Sequence, residues 1–309
     1  MKLHANPFIK SALFISALCQ CGYTYGNVEK KLQYTSKLSE GNKVEFSGIN
    51  SNVNIVKGTS DTVVYDIKMV YKKNDKVKAE KTFDKIKWTF TEENTIHLEE
   101  EIKKNAKFRH LKTFVTISLP DGYPLNVNTV NGYIKTKEDF QTDLTVSTVN
   151  GDIKLEGNMG GYLNATNVNG LILAQNIDKE CTVNTVNGNI ELGNVKGDLK
   201  TGNVNGKTSI EQAESGINSN SVNGSICLNL TPKTTGPVKL KSVNGRLKVN
   251  CPEELGTTIT ARSNNGSLSC DKTLKISKRK KGKLEGTSGD GSVSLKIKSN
   301  NGNVTIETY

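Results

Sequence analysis

The dipeptide Asn-Gly recurs nine times at nearly constant spacing, and this repeat constrains the fold more than any other feature of the chain. Its asparagines follow one another at intervals of 19, 19, 18, 18, 18, 21, 21 and 36 residues. Self-similarity at a period of about 20 residues is the signature of a repeat architecture. The nine pairs are Asn131-Gly132, Asn150-Gly151, Asn169-Gly170, Asn187-Gly188, Asn205-Gly206, Asn223-Gly224, Asn244-Gly245, Asn265-Gly266 and Asn301-Gly302.

The apolar residues around each pair favour a solenoid over a meander of hairpins, although Asn-Gly is typical of two-residue hairpin turns. Before the pair, inward positions alternate, as at Leu144 and Val146. After it, the alternation resumes one position out of step, at Val149, Ile153 and Leu155. A slip at a fixed place predicts that the strand bends there and that both halves face one interior. Stacked coils of this kind form a β-solenoid.

Both residues of the pair have a predicted structural role. Glycine at the inward position after the bend leaves room for close approach of another backbone. The asparagines of successive coils come to lie one above another, where their amides can form a ladder. The alternative is that the asparagine columns bind the hydroxyls of a sugar.

The sequence therefore predicts an all-β chain: a single-chain parallel β-solenoid, β-helix-like, with about 18–21 residues per coil and an N-terminal strand-rich cap. Residues 1–26 are predicted to be a signal peptide, with an apolar run at 12–18. Residues 27–124 hold a first coil, near 43–56, and the cap. Residues 125–309 form the Asn-Gly repeat solenoid, with a basic insertion near 271–290. We expect no transmembrane segment after signal removal.

Composition agrees with a thin core and argues against catalysis. The chain is 34% hydrophobic and 6% aromatic, with 28 Gly and 3 His among 309 residues. It lacks a nucleophile elbow, a P-loop and a dinucleotide fingerprint. Only one of the nine pairs is followed by Asp, whereas calcium-binding solenoids need Asp at every turn. We predict no catalytic, cofactor or metal site. A polysaccharide-acting β-helix enzyme is the alternative, and it would need an acidic cluster on one face.

The net charge of +11 is most concentrated in the insertion. Its cations are predicted to contact an anionic envelope polymer or lipid head groups, with a solvated loop as the alternative. Nucleic acid is not an expected partner, because aromatic residues are not interleaved with the cations. The candidate contact residues are Lys278, Arg279, Lys280, Lys281 and Lys283.

Four cysteines follow the predicted signal peptide: Cys181, Cys227, Cys251 and Cys270. They lack C-x-x-C spacing, which argues against a zinc site. Export permits a disulfide between Cys251 and Cys270, which would link neighbouring repeats. Free thiols that fill small positions are the alternative.

Several segments resemble the bacterial putative-adhesin β-strand-repeat family, a domain of unknown function numbered 4097. They are Val115–Pro120, Leu125–Ile134, Gly289–Leu295 and Ser299–Val304. The resemblance covers about residues 40–308. It implies an exported or envelope-associated protein and brings no catalytic residues.

The expected function is that of a non-enzymatic exported envelope or surface interaction or structural protein of the adhesin type. Its location would be the periplasm, the cell envelope or the extracellular space. The partner is an unknown envelope or surface component: a protein, a polysaccharide or an anionic lipid.

Overall fold

The computed structural model describes residues 20–24, 26–103, 108 and 110–309, and of residues 20–24 only the backbone. The N-terminal section contains β1 (Gln20–Thr24), β2 (Asn27–Lys37), β3 (Lys43–Gly48), β4 (Ser51–Lys57), β5 (Thr62–Tyr71), α1 (Lys76–Phe83), β6 (Ile86–Glu92), β7 (Thr95–Ile102) and β8 (Leu111–Leu119). Strand β1 lies within the predicted signal peptide, of which residues 1–19 and 25 lie outside the described residues.

The repeat section supplies the remaining strands in pairs, one pair for each coil, with a hairpin near the end. These strands are β9 (Leu125–Asn131), β10 (Ile134–Thr136), β11 (Leu144–Asn150), β12 (Ile153–Met159), β13 (Leu163–Asn169), β14 (Ile172–Ile177), β15 (Cys181–Asn187), β16 (Ile190–Val195), β17 (Leu199–Asn205), β18 (Thr208–Ala213), β19 (Ile217–Asn223), β20 (Ile226–Leu230), β21 (Val238–Ser242), β22 (Leu247–Cys251), β23 (Thr257–Ser263), β24 (Leu268–Cys270), β25 (Lys275–Lys280), β26 (Lys283–Ser288), β27 (Val293–Ser299) and β28 (Val304–Thr308).

The strands form two facing sheets, and each coil gives one strand to each sheet. The first sheet has the order β1-β2-β5-β8-β4-β10-β12-β14-β16-β18-β20-β22-β28-β24. The second has the order β25-β26-β23-β27-β21-β19-β17-β15-β13-β11-β9-β3-β7-β6. Neighbouring coils pair in parallel, for example Leu144 with Leu163 and Ile153 with Ile172. The predicted parallel β-solenoid is confirmed.

The core is a single layer of Val, Ile and Leu side chains between the two sheets. Val146, Ile153 and Leu155 are fully buried, as are their counterparts in the other coils except Leu268 and Cys270 of β24, which are partly buried. Two sheets packed face to face are about 10 Å apart, so one side chain from each sheet fills the space. The low hydrophobic content is therefore what this architecture requires.

At the bend, the valine points in a different direction from the one that the sequence pattern predicts. Thr148 is buried, with 3% of its surface exposed, whereas Val149 is 38% exposed. The prediction that Val149 resumes the inward series is wrong, because the chain turns the corner between sheets at this residue. The inward series resumes only at Ile153. An exposed valine stripe results, formed by Val130, Val149, Val186, Val204, Val222 and Val243.

Each glycine of the bends lies against the backbone of the preceding coil. A Cβ on Gly224 would overlap the carbonyl oxygen of Gly206, and a Cβ on Gly206 would overlap that of Gly188. In the first repeat the same contact is made by Gly132 with the carbonyl of Ser51. Any larger residue would force the coils apart at this corner.

At seven of the nine bends, the carbonyl on which the glycine packs accepts a hydrogen bond from the buried side chain two residues before the asparagine. The hydroxyls of Thr185 and Ser221, at the other two bends, have no such bond. Thr148 Oγ1 donates to the carbonyl of Gly132 over 2.9 Å, and Asn167 Nδ2 donates to that of Gly151 over 2.7 Å. The same bond recurs near the C-terminus, from Ser263 to Gly302. A buried polar group is costly unless it is hydrogen-bonded, so these contacts explain why Thr, Ser and Asn occupy inward positions.

The order of the coils in space differs from their order in sequence at both ends. Near the N-terminus, the β3–β4 coil lies between β7–β8 and β9–β10. Near the C-terminus, the β27–β28 coil lies between β21–β22 and β23–β24. The 36-residue interval therefore contains the end of the outermost coil, the hairpin β25–β26 and the return of the chain to β27.

This exchange of order separates two cysteines that the sequence places in neighbouring repeats. Strand β28 lies between the strands that carry Cys251 and Cys270, and all four described cysteines are free thiols. The alternative of a disulfide between these two cysteines is wrong for this reason. Burial raises the pKa of Cys181 to about 12 and that of Cys251 to about 11, so both thiols stay protonated at neutral pH.

The N-terminal section covers the first coil. Strands β8, β5 and β2 extend the first sheet, with antiparallel pairing from β8 outward, and β6 pairs antiparallel with β7 in the second. Tyr65 is fully buried there and donates to the carbonyl of Glu45 over 2.9 Å. Glu100, 2% exposed, accepts bonds from the backbone N–H groups of Ile49 and Asn50. Among the described residues, no helix is long and apolar enough to cross a membrane.

The glycine contact predicts which substitutions the solenoid tolerates. We expect Gly224→Ala to lower the free energy of unfolding by about 2 kcal/mol, as overpacked cores typically do. The control is Gly202→Ala, on the outward face of β17, where the new Cβ meets only the exposed side chain of Asn184. Neither glycine has a positive φ, so neither variant carries the backbone strain that a side chain causes at a positive φ. Urea unfolding measures both variants, and equal losses would contradict the assignment.

Candidate functional site

The asparagines of the bends form one continuous column on the solenoid exterior, which Asn50 of the first coil begins. The Nδ2 atom of each asparagine donates to Oδ1 of the asparagine in the coil before it, over 2.7–3.1 Å. Every Oδ1 atom except the last is thus used within the ladder. The order in space is Asn50, Asn131, Asn150, Asn169, Asn187, Asn205, Asn223, Asn244, Asn301 and Asn265. This geometry supports a structural role for the asparagines over sugar binding.

The basic insertion is an antiparallel hairpin that extends the second sheet. Strand β26 pairs with β23, and β25 pairs with β26 to form the edge of the sheet. Lys278, Lys280 and Lys283 lie on the outward face, whereas Arg279 is opposite the buried Leu284 and faces the other way. Lys281 lies in the turn of the hairpin. The five candidate residues are thus divided between different surfaces.

The outward lysines of the hairpin continue two rows of residues that run across five strands, β21, β27, β23, β26 and β25. We call these rows together the cationic strip. Row 1 contains only cations: Lys241, Lys298, Arg262, Lys283 and Lys280. Row 2 is interrupted in its centre, and contains Lys239, Lys296, Thr260, Glu285 and Lys278.

The central strands of the same face are almost uncharged. The second sheet has six strands from β9 to β19, namely β9, β11, β13, β15, β17 and β19. Eleven of their twelve outward positions hold Asn, Thr, Ser or Gly. The exception is Lys200, which forms an ion pair with Glu180 over 2.7 Å. This face thus has a long neutral part between the strip, with eight cations and one carboxylate, and the far end, where β3 and β7 carry Glu45 and Glu99.

That carboxylate neutralises little of the strip. Glu285 forms an ion pair of 2.6 Å with Lys283, and no other cation of the strip has an ion pair within the described chain. The hydrogen bond from Lys283 holds the pKa of Glu285 below its ordinary value, and the charges of Lys283 and Lys278 add to this effect. Glu285 therefore stays ionised at neutral pH. Row 1 retains a net positive charge along its whole length.

The described residues hold no comparable acidic site. A shallow depression of about 350 Å³ on the first sheet is lined by Glu191, Glu211 and Lys207 among others. Both carboxylates are exposed to solvent. In the described ranges, no group of three or more His, Cys, Asp or Glu side chains is placed to hold a metal ion.

Five residues of the strip were missed by the sequence analysis. The sequence does carry a signal for four of them, because lysines two residues apart in a strand point to the same face. Nothing in the sequence indicates that β27 lies between β21 and β23, so the alignment of these lysines with the hairpin is a result of the coil exchange. The five are Lys239, Lys241, Arg262, Lys296 and Lys298.

Solved structures of bacterial proteins match this chain at low sequence identity, and one of them, with a TM-score of 0.51, shows the same fold. A putative lipid binding protein from Parabacteroides distasonis matches with a TM-score of 0.51 and 15% identity, over 89% of this chain and 96% of that one. A putative adhesin from Bacteroides fragilis matches with a TM-score of 0.39 and 15% identity, over 90% and 97%. A putative adhesin from Parabacteroides merdae has a TM-score of 0.41 and 15% identity, over 90% and 96%. No curated protein matches the chain.

The family comparison agrees with the two-sheet solenoid and with the resemblance that the sequence shows. The family model described as Toastrack DUF4097 matches residues 42–307. This range begins just before β3 and ends within β28, so it includes the first coil, the cap strands β5–β8 and all nine Asn-Gly bends. The chain belongs to the Toastrack DUF4097 family.

Proposed function

We propose that this chain is a non-enzymatic exported interaction protein of the cell envelope or surface, and that it binds an anionic partner through the cationic strip. The observation that carries the proposal is row 1, in which five cations are aligned on five adjacent strands. The asparagine ladder and the glycine contacts hold three of the strands that present this row, β21, β27 and β23.

Within the described chain, Lys283 is the only cation of row 1 with an ion-pair partner, Glu285. Like charges directly opposite one another on neighbouring strands are destabilising. Lys298 has Lys241 on one side and Arg262 on the other. The neutral residues on β9–β19 show that the same sheet is built without charge at these positions. A ligand with negative charges would offset the repulsion, which explains why the cations are clustered.

The composition of the strip indicates what kind of ligand it suits. Seven of its eight cations are lysines. Lysine acts as a compact point charge, whereas arginine recognises planar groups through paired hydrogen bonds. The strip therefore suits a partner recognised by charge density. The Parabacteroides distasonis protein is described as a putative lipid binding protein, so lipid head groups belong among the anionic partners to be tested, beside envelope polymers.

The hairpin offers a matched pair of variants that test the proposal. We expect Lys278→Ser with Lys280→Ser to weaken binding to anionic vesicles by about 30-fold at low salt, since each lysine near an anionic surface contributes roughly 1 kcal/mol. The control, Arg279→Ser with Lys281→Ser, removes the same charge from the same hairpin and should cost much less. Retention against salt concentration measures both. Equal losses in the two variants, or retention that salt does not affect, would refute the proposal.

The repulsion within row 1 predicts a stability change that needs no ligand. We expect Lys298→Thr to raise the free energy of unfolding by about 0.5 kcal/mol at low ionic strength, since cross-strand charge pairs contribute roughly 0.2–1 kcal/mol. The gain should shrink at high ionic strength, where salt screens exposed charges. The control is Lys200→Thr in the neutral part of the face, which loses the ion pair with Glu180. Urea unfolding at two salt concentrations measures both, and a loss of stability in Lys298→Thr would count against the argument.

A further inference from the structure

We infer that the ligand of the cationic strip is a linear polyanion that lies across the strands, parallel to the solenoid axis, with its charges along row 1. This inference rests on the proposed function and names the shape and orientation of the partner. It follows from the dimensions of the strip, from what borders it and from the difference between its two rows.

The strip is long and narrow. Neighbouring strands are about 4.8 Å apart, so the five strands of row 1 place their cations over about 19 Å. The two rows are separated by two residues along each strand, which corresponds to about 7 Å. A strip of these proportions matches one extended chain of charges.

The borders of the strip are neutral except at the hairpin, where Lys275 lies opposite Thr287. Along the strands it is flanked by the polar side chains of Thr258, Ser294, Asn264 and Asn300. Across the strands, row 1 continues from Lys241 to Asn220. A surface that binds the plane of a membrane commonly adds Trp, Phe or Leu side chains that enter the bilayer. The outward positions of the strip hold none, which favours a polymer over a membrane.

The two rows differ in a way that sets the orientation. In row 2, Thr260 and Glu285 separate Lys278 from Lys239 and Lys296. A chain of negative charges that followed row 2 would meet the carboxylate of Glu285. Row 1 has no interruption, and Glu285 contacts it only through Lys283. The polymer is therefore expected to follow row 1 and to end its contacts at Lys241 and Lys280.

A pair of variants on the same two strands tests this orientation. Lys241→Gln with Lys298→Gln removes two cations from row 1, and Lys239→Gln with Lys296→Gln removes two from row 2. Binding of linear polyphosphate should weaken by about tenfold or more in the first variant and much less in the second. For a single-stranded polyanion, the slope of log K against log salt is about −0.7 for each contact, so five contacts predict about −3.5. The row 1 variant should reduce that slope by about 1.4.

The length of the probe separates a polymer from its parts. Orthophosphate and tripolyphosphate should bind weakly, and affinity should rise with chain length until the chain spans row 1. Thermal unfolding of both variants confirms that each is folded before binding is compared.

The outcomes distinguish this inference from the proposed function. If anionic vesicles bind and polyphosphate does not, or if the two row variants lose equal affinity, the inference is wrong while an anionic partner remains. If orthophosphate binds as well as the long chain, the linear ligand is also ruled out. If neither vesicles nor polyphosphate bind at low salt, both the inference and the proposed function fail.

Discussion

The contact of each bend glycine with the backbone of the preceding coil is the constraint on which the other features depend. It leaves no space for a Cβ at this corner, so glycine recurs at the bends where a coil turns from one sheet to the other. At seven of the nine bends, the inward Thr, Ser or Asn donates to the carbonyl on which the glycine packs. The asparagine before the glycine then lies outside, where its amide joins those above and below. One steric requirement thus explains three columns of residues.

Regular stacking also determines what the outer faces can do. Because successive strands are about 4.8 Å apart and in register, equivalent positions form straight rows along the solenoid. A charge placed at one such position meets the same position of its neighbours at a short distance. The charge of the side chains therefore matters more here than on an irregular surface. The neutral residues from β9 to β19 do not repel one another, whereas the cations of row 1 do. Because this repulsion is unfavourable for the fold, it indicates that the strip is a binding surface.

The exchange of coils at the C-terminal end assembles that surface. The chain runs past the position next to β21, builds the outermost coil and the hairpin, and returns to place β27 in the gap. Lysines from three separate segments of the chain thereby become neighbours. The N-terminal end has the same arrangement, with β3–β4 held between β7–β8 and β9–β10. At each end, a coil near the chain terminus is paired on both sides, which protects its strand edges from solvent.

The sequence by itself determined the parallel solenoid, the length of its coils and the places of its bends, because the periods of Asn-Gly and of Val, Ile and Leu are local properties of the chain. It also indicated that the insertion is basic. It did not determine the direction of Val149, since parity alone does not show at which residue a corner is turned. Only the tertiary structure decided that β27 and β28 return between coils formed earlier in the sequence, which separates Cys251 from Cys270. It also decided that Lys241, Lys298 and Arg262 align with Lys283 and Lys280. These contacts join segments up to about 60 residues apart. Nearly identical repeats present nearly identical coil edges, so the repeats themselves do not encode which edge a returning strand joins.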